Sequence, residues 1–273
     1  MNKVVFSCFT VLLFVQFGFS QKRKPQIKHD SKGKYQLVWS DEFNYTGLPD
    51  STKWSYDVGG NGWGNNELQY YTKADTNNSI VRNGMLKITA LKQTVGNNAY
   101  TSAKLVSLGK GDWSHGKIEF RAKLPAGRGT WPAGWMLGSN IATVPWPQCG
   151  EIDVMEHVGY DPDTVVASFH STTYNHMLGT QKTARIAIKN PYTSFHTYAC
   201  EWNTKEITFL LDGKAYLNVK NENKSDKEWP FVNPFYAIVN LAIGGNWGGK
   251  MGVDPDIFPA RLYFDYVRVY QRL

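Results

Sequence analysis

A chain of 273 residues with 42% hydrophobic content is long enough for one large all-β domain or two small ones, and length alone does not choose. Its formal charge of +7 suggests an anionic partner, yet residues 1–34 carry Lys3, Lys22, Arg23, Lys24, Lys28, Lys32 and Lys34 against Asp30, which leaves only +1 for the rest. A near-neutral domain lacks the electrostatic footprint that nucleic acid or a heavily sulfated polymer would require.

The chain opens with Lys3 and an apolar run from Val4 to Phe19 that ends in Gly18-Phe19-Ser20. This is the pattern of a secretory signal with a small-residue cleavage site, and the run falls short of the ~20 residues that span a bilayer. Residues 1–20 therefore read as a signal peptide and 21–34 as a basic linker without periodicity, followed by one folded domain over 35–273. The mature protein is expected to be secreted or periplasmic, without a membrane-spanning segment. Cys149 and Cys200 would survive cleavage, and export would permit them to pair, although nothing in the sequence brings them together.

From Tyr35 onward the text is short alternating runs broken by Gly, Asn, Asp and Pro, with no helical periodicity. Met85-Leu86-Lys87-Ile88-Thr89-Ala90, Gly116-Lys117-Ile118-Glu119-Phe120-Arg121-Ala122, Glu206-Ile207-Thr208-Phe209-Leu210-Leu211 and Tyr263-Phe264-Asp265-Tyr266-Val267-Arg268-Val269-Tyr270 read as strands. Asp212-Gly213 reads as a hairpin turn, because such turns need positive φ. Many strands at regular spacing predict one large sandwich. Ten Trp and fifteen Tyr exceed what its core requires, and Trp63, Trp131 and Trp247 lie in Gly-rich surroundings instead of apolar runs. Flat rings with a polar edge suit the apolar faces of sugars.

The densest chemistry is Glu151-Ile152-Asp153-Val154-Met155-Glu156-His157. Strand alternation puts Glu151 and Asp153 on one face, and Met155, not Glu156, beside them. A β-bulge shifts the register by one and returns Glu156 to the acidic face. Three neighbouring carboxylates repel, so at least one pKa rises and they titrate together. Glycoside hydrolysis uses such a split, with carboxyls ~5–5.5 Å apart for retention and ~6.5–9.5 Å for inversion. Glu151 and Glu156 lie about four strand steps apart, roughly 13 Å between Cα atoms at ~3.3 Å per step. Only a concave sheet would bring their tips together. The same acids could serve a hard cation, but an extended strand does not curl them around a point. They could also be a solvated edge, which like charges aligned on one strand disfavour.

This motif resembles the bulged active-site signature of family 16 glycoside hydrolases of the laminarinase type. Further blocks resemble that family in order: Trp39-Ser40-Asp41-Glu42-Phe43-Asn44, Trp63-Gly64-Asn65-Asn66-Glu67-Leu68-Gln69-Tyr70-Tyr71-Thr72, Gly129-Thr130-Trp131-Pro132-Ala133-Gly134-Trp135-Met136-Leu137, Asn240-Leu241-Ala242-Ile243-Gly244-Gly245-Asn246-Trp247 and Phe264-Asp265-Tyr266-Val267-Arg268-Val269-Tyr270. The resemblance implies a β-jelly-roll sandwich of two curved antiparallel sheets with a concave substrate cleft, spanning 35–273 as the catalytic domain. It implies a monomeric endo-β-1,3-glucanase that retains configuration and needs no catalytic cofactor, acting on β-1,3- or mixed-linked β-1,3-1,4-glucan. Glu151 would be the nucleophile, Glu156 the acid/base and Asp153 their helper. Trp131, Trp135, Asn66, His170 and Trp247 would contact the sugar chain. A structural calcium would sit at Glu42, the Gly84 carbonyl and Asp265. Lys104 stands where relatives often carry Arg. Two other readings share the scaffold: an algal galactan hydrolase, which the near-neutral charge disfavours, and a non-catalytic β-glucan-binding protein, which the complete acid triplet disfavours.

Overall fold

The computed structural model describes Met1 and residues 35–272, so the expected signal peptide and linker lie outside the described residues. Among the described residues the regular elements are strands, apart from one 3-10 turn at Pro255–Ile257. In chain order they are β1 (Tyr35–Asp41), β2 (Ser55–Asp57), β3 (Gln69–Tyr71), β4 (Ser79–Arg82), β5 (Met85–Ala90) and β6 (Tyr100–Ser102). Next come β7 (Lys104–Val106), β8 (Asp112–Trp113), β9 (Gly116–Lys123), β10 (Thr130–Gly138), β11 (Glu151–Glu156) and β12 (Thr164–His170). The last six are β13 (Lys182–Ala187), β14 (His196–Trp202), β15 (Glu206–Leu211), β16 (Lys214–Lys220), β17 (Phe235–Ile243) and β18 (Ala260–Arg272).

Sixteen of them form two antiparallel eight-stranded sheets, the expected jelly-roll sandwich, and β3 pairs with β6 in a separate parallel pair. One sheet runs β16-β15-β14-β9-β18-β5-β4 with β1 on β18; the other runs β13-β12-β11-β10-β17-β7-β2 with β8 on β17. In the first, β9 shows why the layers meet. Ile118, Phe120 and Ala122 alternate inward and are fully buried, while Lys117, Glu119, Arg121 and Lys123 point out. Phe120 meets Phe264 of β18 edge-on at 6.3 Å, and Ile152, Val154, Met155 and Phe169 of the second sheet close the same core. Each such side chain contributes about 1.5–3 kcal/mol by leaving water. All nine residues of β17 are buried, because core covers one face and the cleft and its loops the other.

Two local features follow from the sequence. Asp212 (φ 49°) and Gly213 (φ 80°) form the expected tight turn, closing β15 onto β16 through the Leu211–Lys214 pair. On β10, a Cβ at Gly134 would stand 3.0 Å from the Phe120 ring, so glycine lets this strand lie close over the core. Cys149 and Cys200 are both free, buried thiols. Cys149 leads into β11 and Cys200 lies in β14, in the opposite sheet. Stacked sheets lie about 10 Å apart, beyond the ~7 Å Cα limit for a disulfide. Among the described residues no helix is long and apolar enough to cross a membrane.

Candidate active site

The acidic strand is bulged. On β10, Ala133 faces Glu156 and Gly134 faces Met155, but Trp135 faces Asp153; on the other side Asp153 faces Ser168 and Glu156 faces Val166. Val154 and Met155 thus share the space of one residue, and both enter the core. Glu151, Asp153 and Glu156 are left together on the wall of an open cavity of about 430 Å³. The β10 partners supply the indoles on the same face. Trp131, Trp135 and Trp247 all line the cavity.

The contacts give each acid a distinct environment. Trp131 Nε1 donates to Glu156 Oε1 at 3.0 Å, and its ring meets Trp247 edge-on at 5.5 Å. Trp135 Nε1 donates to Asn240 Oδ1 at 2.8 Å. His170, paired with Glu151 across β11–β12, holds Nε2 3.1 Å from Asp153 Oδ2 and 3.7 Å from Glu151 Oε1.

Burial is the main cause that raises all three carboxyls. It pushes Glu151 up to about 8, with Asp153 adding to the rise and His170 opposing it. Glu156 is pushed up to about 7, with the Trp131 hydrogen bond pulling the other way. Asp153 is raised well above the carboxylate range, first by burial and then by Glu156. Taken singly, a Glu151 near 8 would stay protonated at neutral pH, whereas a nucleophile must be ionised. Asp153 adds to the rise of Glu151, and His170 Nε2 faces both carboxyls, so the value belongs to a proton the pair shares. Asp153 is 3% exposed and offers the costlier site for a charge, which favours the proton on Asp153 and leaves Glu151 as the carboxylate.

Of the residues singled out in the sequence, Trp131, Trp135, His170 and Trp247 join the acids on the cavity wall and Asn66 does not. Asn66 has φ 55° and turns its amide to Asn246, donating at 2.8 Å. Its neighbours Asn65 and Glu67 face the cavity instead, as do Asn240, Asn246, His176 and Arg185. Asn240 left a signal that sequence reading missed, a lone polar residue in the apolar run of β17.

Glu42, Gly84 and Asp265 belong to the other sheet. Glu42 follows the Asp41–Val267 pair and Gly84 precedes β5, whose Leu86 faces Phe264, so the register brings all three to one corner. Oxygen-only donors from both chain ends suit a hard cation. Arg268 grips the Glu42 carboxylate at 2.8 Å through both Nε and Nη2, and Arg121 Nη1 holds Asp265 at 2.9 Å, so calcium would compete with two guanidinium groups.

Three clustered carboxyls raised by burial on the wall of an indole-lined cleft are the arrangement that glycoside hydrolysis uses. The chain belongs to glycosyl hydrolases family 16, whose profile matches residues 66–268. It is 51% identical over 251 residues to a beta-glucanase of Rhodothermus marinus, covering 89% of this chain and 88% of that one. The X-ray structure of the laminarinase from Rhodothermus marinus superposes with a TM-score of 0.86 at 50% identity, over 88% of this chain and 98% of that one. SCLam, a non-specific endo-beta-1,3(4)-glucanase of the same family, superposes with a TM-score of 0.83 at 44% identity, over 88% and 92%.

Proposed function

We propose that this enzyme is a retaining endo-β-1,3-glucanase that also accepts mixed-linked β-1,3-1,4-glucan. The bulge at Val154 and Met155, which gathers three acids on the cleft, is the observation that carries the reading. The names of its relatives, a beta-glucanase, a laminarinase and an endo-beta-1,3(4)-glucanase, support the substrate class.

In the first step protonated Glu156 gives its proton to the glycosidic oxygen as Glu151 attacks the anomeric carbon. The C–O bond to the leaving sugar breaks and an ester to Glu151 forms. Glu156, now a carboxylate, takes a proton from water as the water oxygen bonds to the anomeric carbon. The ester to Glu151 breaks, the Glu151 carboxylate is regenerated and the sugar leaves with its configuration retained. Asp153 keeps its proton throughout, donating to Glu151 while that side chain is a carboxylate. Trp131 and Trp247 offer ring faces to the sugar beside the cleaved bond.

Calcium at Glu42, Gly84 and Asp265 would act far from this chemistry, tying the first and last strands together. Export from the cytoplasm is part of the same reading, since a polysaccharide substrate lies outside the cell. The test is incubation with laminarin, lichenan, agarose, porphyran and carrageenan with products resolved by size. Internal cleavage of laminarin is expected, and cleavage of a galactan alone would overturn the reading.

A further inference from the structure

The cleft holds a fourth carboxylate that the displacement mechanism does not use. Glu67 lines the same cavity as Glu151 and Glu156, and its backbone bridges to Gly244 just beyond β17. A Cβ at Gly245 would lie 3.4 Å from Glu67 Cγ and 3.2 Å from the Trp131 ring, so glycine there leaves room for this wall beside the indole.

The two oxygens of Glu67 are treated differently. Oε2 accepts from Gln69 Nε2 at 2.6 Å and from the Tyr71 hydroxyl at 3.3 Å. Oε1 has only a 3.5 Å contact from Asn65 Nδ2. Behind the carboxylate runs a buried polar chain. Gln69, 0% exposed, accepts the Ile243 N–H at 2.7 Å, and the Tyr71 hydroxyl accepts from Asn240 Nδ2 at 2.9 Å. Asn240 in turn accepts the Trp135 indole N–H. The chain ends at the cleft twice, on a ring face at Trp135 and on a carboxylate at Glu67. Burial pushes the Glu67 carboxyl up, while Gln69, Asn65, Lys104 and Tyr71 favour its ionised form. Lys104 itself is held by Asp57 at 2.9 Å and lies over Trp63 and Trp135 at 4.6 and 5.2 Å.

A half-satisfied carboxylate locked in place beside an indole is suited to accept sugar hydroxyls, and opposed to any second anion. Resting on the proposed glucanase reading, we infer that Glu67 is a specificity-determining ligand: its carboxylate accepts hydroxyls of the sugar that packs in the cleft beside Trp131, and its charge excludes sulfate esters and uronate carboxylates from that position. Its charge also reaches Glu156, adding to the burial that holds that carboxyl up; it sets which polysaccharide enters, while the bonds are made and broken by Glu151 and Glu156.

The test compares wild type, Glu67→Gln and Glu67→Asp on laminarin and chemically sulfated laminarin, with KM and kcat measured separately. Binding of both polymers is also followed without turnover, by tryptophan quenching in a Glu151→Ala background. Losing a hydrogen bond to a charged acceptor weakens binding by about tenfold to a hundredfold. At pH 5, where Glu156 keeps its proton with or without the Glu67 charge, Glu67→Gln is expected to raise KM for laminarin by at least about tenfold with kcat little changed, and to narrow the neutral-to-sulfated preference by a similar factor. Glu67→Asp, shorter but still charged, is expected to lose affinity and keep the preference; it stands in for Glu67→Gln if that variant does not fold. An unchanged KM and an unchanged preference in both variants would overturn the inference. A wild type that fails to cleave laminarin would overturn the glucanase reading instead, and the neutral-to-sulfated binding ratio would still decide the role of Glu67.

Discussion

Trp131 Nε1 lies 3.0 Å from Glu156 Oε1, so the indole that walls the cleft also holds the carboxyl proposed as acid/base. Donation to a carboxylate favours its ionised form and opposes the upward push of burial. Trp131→Phe keeps a ring but removes the donor, so the Glu156 pKa rises further. The alkaline limb of the kcat/KM profile is expected to move to higher pH, with kcat/KM at pH 6 about tenfold lower from poorer placement of the acid. A profile measured from pH 4 to 9 checks both parts. An unmoved limb would mean that the hydrogen bond does not tune the acid.

In the proposed mechanism Glu156 carries a proton when the leaving sugar departs, and burial pushes its carboxyl up to about 7. Activity on glucan is therefore expected to fall as pH rises through that value. Glu156→Gln should lower kcat on laminarin by about 10²–10⁴-fold, the usual contribution of a positioned acid. An aryl glucoside whose phenolate leaves unaided should lose far less in its first step, read as a burst of phenol. Equal losses on both substrates would remove Glu156 from the acid role.

Glu151 carries a stability cost with a definite sign. The proton that Glu151 shares with Asp153 is held up to about 8 in the folded chain, against 4.5 as the ordinary value for Glu. Above pH 4.5 the unfolded chain releases this proton while the folded one keeps it, so the unfolded state binds fewer protons and stability falls as pH rises towards 8. Below pH 4.5 both states are protonated and the cost vanishes. Glu151→Gln is expected to abolish hydrolysis and to stabilise the protein by about 1–3 kcal/mol at pH 8, because the shift is shared with Asp153. Thermal unfolding at pH 4 and pH 8 should show the gain only at the higher pH.

The bulge makes an unusual deletion informative. Removing Met155 alone leaves Glu151, Asp153 and Glu156 on alternate positions of a regular strand, all facing the cleft. Met155 is fully buried, so the loss should cost about 2–5 kcal/mol, yet measurable laminarin hydrolysis should remain. Removing Val154 and Met155 together turns Glu156 towards the core and should abolish activity. Matched rates in the two deletions would show that facing is not what matters.

Calcium should act on stability and not on rate. At a hundredfold excess over its Kd a ligand specific to the folded state adds about 2.7 kcal/mol, on the order of 5–10 °C for a chain of this size. Differential scanning fluorimetry with calcium and then EDTA should show a reversible rise that Glu42→Gln removes. A calcium-insensitive melting temperature would leave the corner to the Glu42–Arg268 ion pair.

Sequence reading reached furthest where a short-range rule governs. Met85–Ala90 and Glu206–Leu211 are strands at the residues their alternation marks, and Asp212-Gly213 is the turn its backbone demands. The acidic row was legible for the same reason, since parity along a strand decides facing. The loop before β3 was not. Trp63, Gly64 and Asn66 have positive φ, which reverses facing from one residue to the next, so the text cannot say that Asn65 and Glu67 look inward and Asn66 outward. The cysteines show the other limit: only the folded sandwich places Cys149 and Cys200 in different layers.

The pairing of β11 with both neighbours resumes beyond Val154 and Met155 with the register moved by one residue. An added residue between two of the cleft acids is thereby taken up at a single kink, with its side chain delivered to the core and the ladder continued on either side. Such a fold can gain or lose one residue inside its reactive motif without rebuilding the site, so the interval between the acids is free to drift while their common side is kept.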